Sequence, residues 1–189
     1  MSKEKLRILV LAGTTREQRK SIHAAKFVKE IGETYEDVEI DFVDPKDLVL
    51  PGDGNDPEGK DPKYTEKTEK ADAFFIITPE YNHSFPGSLK RMLDSELSNY
   101  IHKPVAIAGV SAGMWGGIRA VQSLIPVVRE LGMAVTFTDV YFTSSYTLFT
   151  DDGSIAEDRS ELYTKSTRKA FDELIWMAKT LKHGRDNIK

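Results

Sequence analysis

Hydroxyl and guanidinium groups are concentrated in one stretch of the 189-residue chain, Thr14-Thr15-Arg16-Glu17-Gln18-Arg19-Lys20-Ser21. An apolar run at 8–12 precedes it and helical periodicity resumes at Ile22, which predicts a loop between a buried strand and a helix capped by Ser21. Its donors would meet at the positive end of the helix dipole, where a phosphate binds favourably. The spacing matches neither the dinucleotide nor the Walker pattern, which favours one terminal phosphate. The alternative is a capped helix with solvated charges.

A second group of donors and aromatic rings follows the apolar residues 74–78, in the sequence Pro79-Glu80-Tyr81-Asn82-His83-Ser84-Phe85-Pro86-Gly87. Residues 74–78 show no polar alternation, which predicts a strand covered on both faces that ends at Pro79, because proline has no amide for the next ladder bond. A helix is expected to begin at Pro86 and to continue to about Leu97. Ligands of open α/β sheets bind at such strand–loop–helix junctions.

A glycine-rich loop, Ser111-Ala112-Gly113-Met114-Trp115-Gly116-Gly117, follows a third apolar strand at 104–110. Its glycines permit positive φ and close approach of the backbone to a flat ligand, while Trp115 offers an exposed aromatic face or a lid. The alternative is a tight turn that packs a helix onto its strand. Ser111 only mimics the nucleophile of a hydrolase elbow, because the histidine downstream of it is His183, in the terminal tail.

Strands alternate with helices along the whole chain. The strands are expected at 8–12, 38–43, 73–78, 104–110 and 133–142, and the later helices at 64–70, 86–97, 118–132 and 158–181. Such alternation predicts an α/β fold, a doubly wound five-stranded parallel sheet with helices on both faces. Right-handed crossovers favour the strand order 2-1-3-4-5, with strand 38–43 at an edge. A long excursion after the fifth strand, through Tyr146 and Phe149, is expected from its length to have a covering or contacting role.

This strand order brings the three donor-bearing loops to the same carboxyl edge of the sheet. One loop supplies phosphate donors, the second aromatic and amide groups, and the third a glycine-rich surface. A planar ring that carries a single phosphate tail would fit between them. Flavin mononucleotide (FMN) has that form.

Composition limits the classes of partner. A net charge of −4 and a pI near 5.6 give no basic stripe for nucleic acid or an anionic membrane. Without cysteine the chain has no thiol chemistry, and its four histidines lack metal-ligand spacing. The apolar run that ends at Gly13 is too short for a signal or a membrane span. We therefore expect one domain, residues 1–189, in the cytoplasm, with no metal and any redox work done by a cofactor.

Three motifs together resemble the NAD(P)H-dependent FMN reductase family, whose fold is flavodoxin-like. They are Gly13-Thr14-Thr15-Arg16 with Ser21, the run Thr78-Pro79-Glu80-Tyr81-Asn82-His83-Ser84-Phe85-Pro86-Gly87-Ser88-Leu89-Lys90, and Gly109-Val110-Ser111-Ala112-Gly113 with Gly116-Gly117. The similarity extends from about Arg7 to Leu148. Pro-Glu-Tyr-Asn after an apolar strand is its most specific part.

The resemblance implies a role for each site residue. The FMN phosphate would be held by Thr14, Arg16 and Ser21, with Thr15 and Arg19 as further candidates. The isoalloxazine ring would be lined, largely through backbone groups, by Pro79, Glu80, Tyr81 and Asn82. Its other side or edge would be approached by Ser111, Ala112, Gly113 and Gly117. No side chain is required as an acid or a nucleophile, because the hydride passes from nicotinamide C4 to flavin N5.

The resemblance also implies the electron donor, the acceptor and the assembly. NADPH or NADH would reduce the flavin, and a quinone, a free flavin, an azo compound or an oxidised metal ion would reoxidise it. FMN would lie near the interface of a homodimer, and a tetramer of dimers is the larger assembly considered. Two alternatives remain open at this point: a flavodoxin-like electron carrier reduced by a protein partner, and a binding module that keeps the fold without flavin.

Overall fold

The structure is a computed structural model that describes residues 5–188. Its helices and strands, in chain order, are β1 (Leu6–Ala12), α1 (Ser21–Gly32), β2 (Val38–Val43), α2 (Pro62–Lys70), β3 (Ala73–Pro79), α3 (Gly87–Asp94), β4 (Pro104–Val110), α4 (Ile118–Glu130), β5 (Ala134–Val135), β6 (Val140–Phe142), α5 (Ser145–Leu148) and α6 (Glu157–Asn187). The single domain predicted for residues 1–189 includes residues 1–4 and 189, which lie outside the described part. Among the helices described, none combines the length and the apolar character needed to cross a bilayer.

The sheet is parallel and has the strand order β2-β1-β3-β4-β5, as predicted. β1 lies between β2 and β3, with Val10 opposite both Phe42 of β2 and Phe75 of β3. β3 pairs with β4 up to its last residue, Pro79, which lies opposite Val110. This order is confirmed, and it brings the loops after β1, β3 and β4 to one edge.

Two apolar cores cover the two faces of the sheet, as the continuous apolar strands predict. Alternate strand residues such as Val10 and Phe75 pack on one face against α1 and α6, where Val28 and Phe171 are fully buried. On the other face Ile76 packs with α2, α3 and α4. Because both faces are covered, the polar loops at the strand ends are the part of the sheet region that is open to a ligand.

The fifth strand is interrupted, and the prediction of one continuous strand at 133–142 is wrong. Ala134 of β5 lies opposite Pro104 of β4, a difference of 30 in residue number, whereas Val140 of β6 lies opposite Ala108, a difference of 32. The two extra residues are accommodated at 136–139, where the Glu173 carboxylate accepts the amides of Phe137 (2.6 Å) and Thr138 (2.9 Å). A tertiary contact from α6 therefore replaces ladder bonds at this point.

Several helix boundaries differ from those predicted, and α2 begins two residues early, at Pro62. α3 begins at Gly87 and ends at Asp94, since Ser95 bonds its hydroxyl to the Met92 carbonyl at 2.7 Å. α4 ends at Glu130, two residues before Gly132, and it contains Pro126 within its length. α6 runs to Asn187, beyond the predicted end at Leu181.

The long loop between β2 and α2 is held by one side chain of α3. The Arg91 guanidinium donates to the carbonyl oxygens of Pro51 (2.7 Å), Gly52 (3.1 Å), Gly54 (2.8 Å) and Gly59 (2.5 Å). A Pro- and Gly-rich loop has few side chains of its own to fix it, so this fork of donors supplies the missing contacts.

Candidate functional site

The loops after β1, β3 and β4 enclose a cleft of about 130 Å³ at the carboxyl edge of the sheet. Eight of the predicted site residues line it: Arg16, Arg19, Ser21, Pro79, Glu80, Tyr81, Ser111 and Ala112. The sequence analysis missed five further lining residues, Gln18, Lys20, Val110, Ser145 and Tyr146. Ser145 and Tyr146 belong to the excursion after the fifth strand, whose length alone did not indicate what it contacts.

The loop after β1 ends at a helix whose N-terminus has no side-chain cap. Ser21 is the first residue of α1 and Lys20 occupies the cap position, and among residues 5–188 no side chain caps the terminal amides. The prediction that Ser21 caps the helix is therefore wrong. The first turn also contains no acidic residue. The positive end of this dipole is therefore not neutralised by the chain itself, which suits an anion.

Arg19 is the most deeply buried cation of this loop. Its side chain is 7% exposed and forms an ion pair with Asp44 at the end of β2, and its Nη1 donates to the Arg16 carbonyl at 3.2 Å. Its Nε is buried and has no hydrogen-bond partner within residues 5–188. A buried donor without a partner is costly, so a phosphate oxygen at this loop would satisfy a group that the chain leaves unpaired.

Thr14 joins the loop after β1 to the loop after β3. Its side chain is buried, and its Oγ1 lies 3.0 Å from the Tyr81 hydroxyl and accepts the Arg16 amide at 3.3 Å. Thr14 therefore holds Arg16 and Tyr81 in place from beneath the cleft. Thr15 is exposed and does not line the cleft.

The loop after β3 is a tight two-residue hairpin. Tyr81 and Ser84 exchange both backbone hydrogen bonds (2.8 and 3.0 Å), and Asn82 and His83 between them have φ of 48° and 66°. Positive φ at both central positions is the geometry of a type I′ turn. Asn82, predicted to line the ring, lies at this turn and not on the cleft wall.

Three of the amides predicted to face a ring already have acceptors within the chain. The amide of Glu80 donates to Val110 (3.1 Å), that of Tyr81 to Ser84, and that of Ser111 to Phe142 (3.1 Å). Within residues 5–188 the other four, which are the amides of Asn82, Ala112, Gly113 and Gly117, have no such acceptor. Contact with a ring through backbone donors is therefore restricted to fewer positions than the sequence suggested.

The Glu80 carboxylate caps a helix that belongs to the neighbouring loop. Its Oε2 accepts the Arg119 amide at 3.2 Å, and its Oε1 lies 3.7 Å from Arg119 Nη1. Gly117, at the cap position of α4, has no side chain that could do this. Glu80 therefore ties the loop after β3 to the loop after β4 and stabilises the start of α4.

We expect Glu80→Ala to lower the free energy of unfolding of the flavin-free protein by about 1 kcal/mol, because it removes a helix cap. Glu80→Gln keeps an acceptor oxygen and should lose less. Urea unfolding without added flavin measures both, with Glu130→Ala, an exposed glutamate at the end of the same helix, as the control. An unchanged midpoint in Glu80→Ala would contradict the capping role.

The glycines of the third loop mainly allow close packing of the chain on itself. Gly116 and Gly117 have φ of +59° and +84°, and a Cβ on Gly109 would lie 2.4 Å from the Gly116 carbonyl oxygen. The turn therefore lies directly on β4, as the packing alternative for this loop requires. A Cβ on Gly113 would meet nothing within 4 Å. Gly113 and Gly117 do not line the cleft, and their contacts with a ring stay predictions.

Tyr141 supports this loop from below. A Cβ on Gly116 would lie 2.7 Å from the Tyr141 Cβ, and the Tyr141 hydroxyl donates to Asp139 at 2.9 Å. Burial, and then the bond to Asp139, raise the pKa of Tyr141, so the phenol stays neutral. Above it, the side chains of Met114 and Trp115 are exposed (83% and 71%), as predicted for Trp115.

Comparison with known proteins gives one family match. A family model described as NADPH-dependent FMN reductase matches residues 6–147. The solved structure of the FerB flavoenzyme NAD(P)H:(acceptor) oxidoreductase from Paracoccus denitrificans superposes with a TM-score of 0.74 at 22% identity, over 91% of this chain and 98% of that one. At this identity the superposition shows a shared fold.

Two curated relatives match over shorter stretches. The NADPH azoreductase of Bacillus sp. (strain OY1-2) is 46% identical over 55 residues, which are 29% of this chain and 31% of that protein. A quinone reductase of Pseudomonas putida (strain KT2440) is 30% identical over 99 residues, 49% of this chain and 53% of that protein. The chain thus matches about half, or less, of the length of these relatives.

Proposed function

We propose, since this chain belongs to the NADPH-dependent FMN reductase family, that it binds FMN in the cleft between its three loops. The proposed activity is that of an FMN-dependent NAD(P)H oxidoreductase. The observation that carries the proposal is the buried Arg19 Nε without a partner beside the uncapped, acid-free start of α1. Both features favour a phosphate at this end of the cleft.

The residues of the first loop would bind the phosphate in different ways. The Arg16 and Arg19 guanidinium groups would donate to its oxygens, and Ser21 would offer its hydroxyl at the start of α1. Thr14 has its Oγ1 engaged with Arg16 and Tyr81, so its role is to position them. Thr15 is exposed and is the weakest of the five candidates.

The other two loops would hold the ring. Pro79, Glu80 and Tyr81 form one wall of the cleft, and Ser111 and Ala112 form another. The amides of Asn82, Ala112, Gly113 and Gly117, which have no acceptor among residues 5–188, are candidate backbone donors to the ring. Glu80 fixes the position of the two walls relative to each other through its contacts with Arg119.

Bound FMN would supply the chemistry, taking a hydride from NADPH or NADH and passing its electrons to the acceptor. The chain's own part is to orient the ring and to leave one face open to the two substrates in turn. No residue of the cleft is required to carry a proton to or from a substrate.

The proposed acceptor is a quinone or a similar small molecule. Its support is the names of the matched relatives, which are an azoreductase and a quinone reductase. A free flavin, an azo compound or an oxidised metal ion are the other acceptors of the same proposal. We further propose that residues 1–189 form one domain and that the protein is a cytoplasmic homodimer.

Anaerobic titration tests the function directly. Purified protein loaded with FMN should lose its flavin absorbance on addition of NADPH or NADH, and a panel of quinones and azo compounds added afterwards should restore it. Bound flavin that neither nucleotide reduces would contradict the proposal and favour an electron carrier reduced by a protein. Failure of the chain to quench FMN fluorescence would contradict flavin binding itself. The mass measured by light scattering tests the dimer.

A further inference from the structure

A second and larger cavity adjoins the phosphate end of the cleft. It measures about 510 Å³, against about 130 Å³ for the cleft. The two share five lining residues, Arg16, Gln18, Arg19, Lys20 and Tyr146. Because the loop after β1 separates them, a ligand whose phosphate binds that loop would have the second cavity directly beyond its phosphate. This cavity is called the outer groove below.

The charged side chains that line the outer groove are mainly positive, and two of them form no ion pair within the described residues. Neither Arg16 nor Lys20 forms an ion pair among residues 5–188, whereas the acidic lining residue, Glu17, is paired with Lys46 at 2.8 Å. Arg19 lines the same wall, but its guanidinium is paired with Asp44. Arg16 and Lys20 are therefore the cations of the groove that no carboxylate of the described residues neutralises.

Flat rings form the other part of the groove. Tyr146 is 65% exposed and offers an aromatic face. His23 packs against Phe149 with ring centroids 5.6 Å apart, and burial, followed by Lys20 and Lys26, lowers its pKa. Its imidazole is therefore neutral at pH 7 and contributes a ring and a hydrogen-bonding nitrogen rather than charge. Unpaired cations beside flat rings are suited to a phosphate that carries a nucleobase.

We propose that the outer groove binds the adenylate part of a dinucleotide, with Lys20 on its phosphate and Tyr146 against its adenine. This proposal rests on the proposed flavin function only for the position of the flavin phosphate. Two ligands carry such a group: flavin adenine dinucleotide (FAD), whose adenylate continues from the flavin phosphate, and NADP(H). The continuity of the groove with the phosphate loop favours FAD.

Binding titrations with Lys20→Gln test the proposal without any measurement of activity. Lys26→Gln is the matched control, because Lys26 is an exposed lysine of the same helix, α1, that does not line the groove. FMN and FAD are titrated into the flavin-free protein by fluorescence quenching. AMP is titrated into the same protein, and NADP⁺ into the FMN-loaded protein, by calorimetry.

We expect Lys20→Gln to weaken AMP binding by about five- to tenfold, as the loss of one partly exposed cation–phosphate contact should. If FAD is the source of the adenylate, the Kd for FAD rises by a similar factor and that for FMN by less than about twofold. If NADP(H) is the source, NADP⁺ affinity falls instead and FAD behaves like FMN. Tyr146→Ala should act on the same ligand as Lys20→Gln.

Two results would overturn the proposal. One is equal weakening of FMN and FAD by Lys20→Gln with no change in AMP and NADP⁺ affinity, which would assign Lys20 to the flavin phosphate alone. The other is equal behaviour of Lys20→Gln and Lys26→Gln toward every adenylate. Failure of the wild-type protein to bind FMN would instead refute the proposed function, while AMP binding that depends on Lys20 would still support the groove.

Discussion

Gly109→Ala is expected to lower the free energy of unfolding by about 3 kcal/mol or more, enough to leave much of the protein unfolded at moderate temperature. The added Cβ would lie 2.4 Å from the Gly116 carbonyl oxygen and 3.0 Å from the Gly117 carbonyl carbon. Both contacts are with backbone, so no side-chain rotation can relieve them. The turn would have to move away from β4, or β4 would have to leave its place between β3 and β6.

Gly113→Ala is the matched control in the same loop. A Cβ at Gly113 meets nothing within 4 Å, so the free energy of unfolding of Gly113→Ala in urea should stay within about 0.5 kcal/mol of the wild-type value. The same variant tests the predicted approach of Gly113 to the ring, because an added methyl group there would weaken FMN binding while stability is unchanged. Equal stability of Gly109→Ala and Gly113→Ala would show that the turn does not lie on β4 as described.

Arg16→Ala should reduce FMN affinity by about 10- to 100-fold, which corresponds to about 1.5–3 kcal/mol for a charge-assisted contact with a phosphate. Arg16 is the better test than Arg19, because its exposed guanidinium forms no ion pair with any of residues 5–188 that the substitution would break. Removal of Arg19 would leave Asp44 without its partner and would mix lost stability with lost binding.

Fluorescence quenching of FMN measures this effect, with Arg129→Ala, an exposed arginine at the far end of α4, as the control. Riboflavin, which lacks the phosphate, should bind wild type and Arg16→Ala with the same Kd. Unchanged FMN affinity in Arg16→Ala would remove Arg16 from the phosphate site. A parallel loss for riboflavin would show that the substitution disturbs the ring walls instead.

The parallel sheet with both faces covered was predictable because its strand residues are apolar on both faces. Val10 and Phe75 pack on one face and Ile76 on the other, and continuous apolar runs of this kind occur where helices cover a parallel sheet. No pattern of apolar and polar residues indicated the interruption of the fifth strand. Its cause is the Glu173 carboxylate, which lies on α6, 36 residues away from Phe137 in sequence.

The site was predictable to the level of its loops and less so to the level of atoms. The order of parallel strands alone decides that the loops at Arg16, Tyr81 and Ser111 meet. The sequence could not show that the amides of Tyr81 and Ser111 bond to the chain itself, since Phe142 becomes the partner of Ser111 only after β6 docks. The capping of α4 by Glu80 depends in the same way on a contact between separate loops.

The interruption between β5 and β6 also bears on how the protein behaves at high concentration. An edge strand with a row of unpaired amides is a template onto which a strand of another molecule can add. Here one edge consists of β5 with two residues and β6 with three, out of register with each other. The other edge, β2, carries the charged side chains of Glu39 and Asp41. Neither edge offers a long uncharged strand, so the fold resists aggregation through strand addition.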